Sequence, residues 1–182
     1  MAIWQYRLIL LPEKVLLGKF DVLPLAIPIE LVDEFSWSGE VQPEVGVESQ
    51  IDMMLPPMDS WSTSMRMWGQ EEGNDAHVLY VDDSRKTVEE ISFRIDARAV
   101  SHELVHQICG LAKRLGCVLL TSEYEILVPD ESMVLTAINQ STAKKFVNDP
   151  VSTLQNLDYA KLQQQAEYFL KDFDKSREKG KL

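Results

Sequence analysis

His102-Glu103-Leu104-Val105-His106 is the stretch of this 182-residue chain with the most definite chemistry attached to it. On a helix, two histidines four positions apart share a face and can hold Zn²⁺, with the glutamate placed to activate a metal-bound water. A zinc-dependent hydrolase built this way would take His102 and His106 as ligands and Glu103 as base, with Glu123 or Glu125 completing the shell. The surrounding residues argue against it. At about 100° per residue, Leu104, Val105, Ile108, Leu111, Ala112 and Leu115 form the apolar stripe, which leaves both histidines on the opposite side with Lys113. Ser101 reads as the N-cap, so the pattern falls at a helix start, and Cys109 and Ala112 stand where the extended zinc-protease motif carries Gly and His. The expectation is an exposed helix start, no catalytic residue and no cofactor, with zinc as the alternative.

Other chemistry is sparser. There is no G-x-S-x-G, G-x-G-x-x-G or Walker loop among the scattered glycines. Cys109 and Cys117 read as small buried thiols, and His77 as a residue at a strand start with no sequence neighbour to make it a ligand or base.

The elements that would position these groups follow from periodicity. Ile3 to Leu11 reads as a strand ended by Pro12. Residues 21–75 read as an irregular, proline-bearing segment, with Val47 to Leu55 its best helix and a weak alternation from Ser60 to Gly69. His77 to Val81 and Val88 to Asp96 read as a β-hairpin, Ile91, Phe93 and Ile95 forming its buried face. A helix follows from Ser101 to Leu115 with Gly116 as its stop, then strand segments at Cys117 to Thr121 and Glu125 to Val128. Asp130 and Ser141 cap two further helical pieces reaching Val147. Leu162, Ala166, Phe169 and Phe173 recur at helical spacing near the C-terminus. The expected class is α+β, an antiparallel sheet with helices packed on one face, in a single domain over residues 1–157. Residues 158–182 would add an amphipathic helix and a frayed basic tail.

Composition bounds the function. A chain of this size can bury about 70% of its extended surface without disulfides or metals. Its apolar runs are too short to span a bilayer or to serve as a secretory signal, so a cytoplasmic location with no membrane contact is expected. The net charge of −11 is concentrated: from Glu30 to Asp75 there are eleven acids and a single base, Arg66. Nucleic-acid binding, which needs clustered lysine and arginine, is disfavoured, whereas an acidic face can steer a basic protein partner. Met53, Met54, Met58, Met65, Met67, Trp61 and Trp68 lie within or beside that acidic run, and soft or aromatic side chains of this kind adapt either to a core or to a partner.

The stretches VEEISFRIDAR, LGCVLLTSEYEILVPD and AINQSTAKKFVNDP, spanning about 78–154, resemble a group of small, acidic, uncharacterised bacterial proteins with a strand–helix–strand–helix layout. In size and charge the chain also resembles the immunity proteins that neutralise secreted bacterial toxins. Neither resemblance carries a functional residue. Together with the charge map, they imply a non-enzymatic, cytoplasmic protein-binding module whose contact residues are Glu40, Glu44, Glu48, Asp52, Trp61, Met65 and Trp68. A zinc hydrolase and a small-molecule-binding module are the alternative readings, and the sequence does not fix the oligomeric state.

Overall fold

A computed structural model describes residues 2–37, 40–70 and 72–156. Seven strands form one antiparallel sheet: β1 (Gln5–Pro12), β2 (Pro57–Met58), β3 (Met65–Gly69), β4 (Asp75–Tyr80), β5 (Val88–Asp96), β6 (Cys117–Thr121) and β7 (Ile126–Leu127). Their order in space is β2-β3-β4-β5-β1-β6-β7. The N-terminal strand therefore lies inside the sheet, with Leu8 opposite Phe93 on one side and Thr121 on the other. The helices are α1 (Glu13–Lys19), α2 (Val47–Asp52), α3 (His102–Arg114), α4 (Glu131–Gln140), α5 (Thr142–Asn148) and α6 (Pro150–Gln155), with a 3-10 helix at Ile29–Phe35. The class is α+β. The helical reading of residues 158–182 falls outside the described residues.

Alternation along the strands explains the layers. Ile91, Phe93 and Ile95 on β5, Ala76 and Val78 on β4, and Tyr6, Leu8 and Leu10 on β1 point to one face. There they form a single core with Leu104, Val105, Ile108 and Leu111 of α3 and Val134 and Ile138 of α4. Each period-2 face covers a period-3.6 stripe, as expected from the sequence. A second, smaller layer lies on the opposite face at one end of the sheet. Ile9 and Leu11 of β1 with Val118 and Leu120 of β6 meet Leu16 of α1 and Val32 and Phe35 of the 3-10 helix. Because β1 and β6 are covered on both sides, they read as continuous apolar runs, whereas β5 alternates.

Local signals set the helix ends. The side chains of Ser101, Asp130 and Ser141 accept from the backbone N–H of Leu104, Met133 and Lys144, satisfying donors that have no partner inside the helix. Gly116 takes the left-handed conformation (φ 62°) just past α3 and turns the chain into β6. Gly69 (φ 93°) ends β3 where a Cβ would fall 2.1 Å from the Asn74 carbonyl oxygen, so only glycine fits the tight return to β4.

Candidate functional site

The acidic segment does not behave as one surface. Val47 and Ile51 of α2 enter the core, and the helix turns Glu48 and Asp52, four residues apart, toward β3 and β4. Arg66, the segment's one base, donates from Nη1 to Glu48 Oε2 at 2.5 Å, and its Nη2 lies 3.9 Å from Asp52 Oδ1. The Tyr80 hydroxyl donates to Glu48, and the Trp68 indole donates to Asp52 Oδ1 at 2.7 Å. Arg66 also stacks over the Trp68 ring, 5.2 Å from its centroid. Burial, together with the Glu48 carboxylate, holds the Tyr80 phenol far above its ordinary range. Glu48 and Asp52 are thus acceptors that bind α2 to the sheet.

Two residues expected at the contact surface belong to the interior. Trp68 is fully enclosed and Met65 is buried, because β3 runs inside the sheet between β2 and β4 and both of its faces are covered at these positions. Trp61 stands apart in the turn before β3, 73% exposed. Met53, just after α2, is 76% exposed, and Val45, beside Glu44, is entirely in solvent. Glu40 and Glu44 are exposed as well. Of the seven expected contact residues, Glu40, Glu44 and Trp61 lie at the surface with no side-chain bond among the described residues to fix them, and Val45 and Met53 are exposed as well.

The zinc reading finds little geometric support. His102 and His106 are exposed, and His106 Nδ1 lies 3.2 Å from Glu131 Oε2 of α4. Glu103 accepts from Gln107 on its own helix, and Glu123 accepts from the Thr142 backbone N–H at the start of α5. Glu125 follows the Tyr124 turn, its backbone N–H donating to Thr121 Oγ1. Among the described residues no group of three His, Cys, Asp or Glu side chains is placed to hold a metal ion. Cys109 and Cys117 are separate buried thiols, pushed up by burial to about 11 and about 12, which keeps them protonated and unreactive.

One constellation escaped the sequence reading. On the sheet face opposite α3, beyond the cover supplied by α1, Asp75 lies directly across the ladder from Arg94, and His77 across from Ser92. Arg94 donates through Nε to Asp75 Oδ1 at 2.7 Å, and its Nη2 lies 3.0 Å from His77 Nε2. Gln5 donates to the same carboxylate, and Arg7 Nη2 reaches both oxygens of Glu90 at 2.6 Å. Burial, with Arg94 adding repulsion, depresses the His77 imidazole to about 4. Burial is the largest influence on Glu90 and works against its ionisation, yet the Arg7 guanidinium and the Ser92 hydroxyl together hold the carboxyl below its usual range. The signal was present in the sequence as Asp75-x-His77, a period-2 pair on one strand face, with Arg94 at the matching parity of β5.

No protein-family model, curated protein or solved structure matches the chain. Among the described residues no helix is long and apolar enough to cross a membrane.

Proposed function

We propose that the protein is a non-enzymatic binding module that docks a basic protein through the exposed part of its acidic segment. The observation that supports this reading is the solvent exposure of Val45, Met53 and Trp61 within one acidic stretch, although the chain encloses Trp68, Met65 and Ile51 from that same stretch. Large apolar side chains framed by carboxylates suit a partner that supplies lysine or arginine around an apolar contact, because charge steers the encounter and apolar burial holds the complex. The resemblance in size and charge to immunity proteins makes a basic toxin the first partner class to test. The acids on this surface differ from Glu48 and Asp52 in having no role in holding α2.

The test begins with proteins recovered on the immobilised chain from its source cells at low salt. The association rate of the purified partner is then measured with the parent chain and with a Glu40→Lys, Glu44→Lys, Trp61→Ala variant. The expected result is slower association and faster dissociation for the variant, at unchanged stability. A partner bound equally well by both proteins would remove this surface from the function.

A further inference from the structure

Where β1 hands over to α1, a cleft of about 380 Å³ is lined by Pro12, Glu13, Lys14 and Leu17, with Trp37, Val41, Leu115 and Gly116 completing its walls. Its size falls within the range of small-molecule sites, roughly 300–1,000 Å³. The walls are largely apolar. Two opposite charges also line it, and neither the Glu13 carboxylate nor the Lys14 ammonium forms an ion pair or a hydrogen bond among the described residues. Gln42, also in the lining, is committed to the fold: its carboxamide both accepts from and donates to the Val88 backbone, at 2.7 and 3.0 Å.

The second observation concerns Trp37. Its indole Nε1 is buried and has no hydrogen-bond acceptor among the described residues, in a residue only 4% exposed. A buried indole N–H without an acceptor forfeits a hydrogen bond, and native structures keep few such groups. Here the orphaned donor belongs to a residue that also lines the cleft.

We infer that this cleft binds a zwitterionic amino acid with an apolar side chain. The charges decide the class. A plain anion meets Glu13 and a chain of net charge −11, and a plain cation meets Lys14. A zwitterion answers both, its carboxylate toward Lys14 and its ammonium toward Glu13, while the side chain lies against Pro12, Leu17, Val41 and Leu115. Binding is non-covalent.

The experiment titrates the full ¹⁵N-labelled chain with L-phenylalanine, with 3-phenylpropanoate, which lacks the ammonium, and with phenethylamine, which lacks the carboxylate. The indole cross-peak of Trp37, assigned through Trp37→Phe, reports occupancy. L-phenylalanine should shift that peak saturably, with each truncated probe binding about tenfold more weakly, the loss of one charge-assisted contact. Lys14→Met and Glu13→Gln should weaken L-phenylalanine by a similar factor. Both alter side chains outside the core, so a failure to fold does not obscure the outcome. Equal binding of all three probes, or no saturable shift at concentrations of about 10 mM, would overturn the proposal.

Discussion

Arg94 lies directly across the β4–β5 ladder from Asp75 and donates through Nε to its Oδ1 at 2.7 Å, while the carboxylate is wholly shielded from water. Burial raises the pKa of Asp75 and the guanidinium opposes it, so the charge depends on its partner. Removing one member of a buried pair costs more than removing both. Arg94→Met should therefore destabilise the chain by about 3 to 5 kcal/mol, and adding Asp75→Asn should recover part of that loss. Urea unfolding of the two variants measures it; a single variant within about 1 kcal/mol of the parent would show the pair to be incidental.

His77 in the same cluster predicts a pH dependence. Its imidazole titrates near 4 in the folded chain against 6.5 when unfolded, because burial and Arg94 both disfavour the cation. A depressed folded value means that the unfolded chain takes up the proton first. The contribution of neutral His77 is fully present above about pH 6.5 and declines as pH falls toward about 4, by on the order of 3 kcal/mol in all. Asp75, Glu90, Arg94 and Arg7 face the same ring, so the comparison must keep them constant. The slope of stability between about pH 6.5 and pH 4 should be shallower in His77→Asn than in the parent, and parallel curves would contradict the assignment.

How much of this was legible beforehand depended on the range of each signal. Ser101, Asp130 and Ser141 act within three residues of themselves, so the helix starts could be read directly. Phe93 and Ile108 could be paired because each belongs to an amphipathic face that needs a cover. The place of β1 between β5 and β6 was not readable, since Leu8 contacts partners more than eighty residues away and its own run of leucines states only that both faces are buried. Met65 and Trp68 were expected at the surface for a related reason. Trp61 and Trp68 are equivalent in composition, and only the ladder from Met58 through Met67 to His77 shows that β3 is an inner strand.

The paired faces yield a direct stability test. Phe93 is fully buried opposite Leu8 and Ala76 and beneath α3, so truncation leaves a cavity that neighbours on a rigid sheet cannot close. Phe93→Ala should cost about 3 to 5 kcal/mol in chemical unfolding, whereas Trp61→Ala, at an exposed turn, should stay within about 0.5 kcal/mol of the parent.

Metal analysis addresses the histidine pair. Protein purified without a histidine tag is expected to carry well under one zinc per chain, and His106→Ala to leave stability within about 0.5 kcal/mol, the usual worth of an exposed pair such as His106 with Glu131. One zinc per chain, lost together with a hydrolytic activity in His106→Ala, would instead establish the hydrolase reading.

The four acids expected to act together should separate by experiment. Glu48→Lys places an ammonium beside Arg66 and removes the acceptor of the Tyr80 hydroxyl, so α2 loses its hold on β3 and β4. Its expected cost is about 2 to 4 kcal/mol, between that of a partly exposed bridge and a buried one. Glu44→Lys touches no such bond and should change stability by less than about 0.5 kcal/mol. Association with a basic partner should reverse the order of sensitivity: Glu44→Lys slows the on-rate at low salt, and the difference shrinks as the screening length falls below about 8 Å at and above physiological ionic strength. Glu48→Lys should weaken binding only at temperatures where unfolding of α2 has begun. If Glu44→Lys and Glu48→Lys slow association equally while both remain fully folded, the division of the acidic segment into structural and docking carboxylates is wrong.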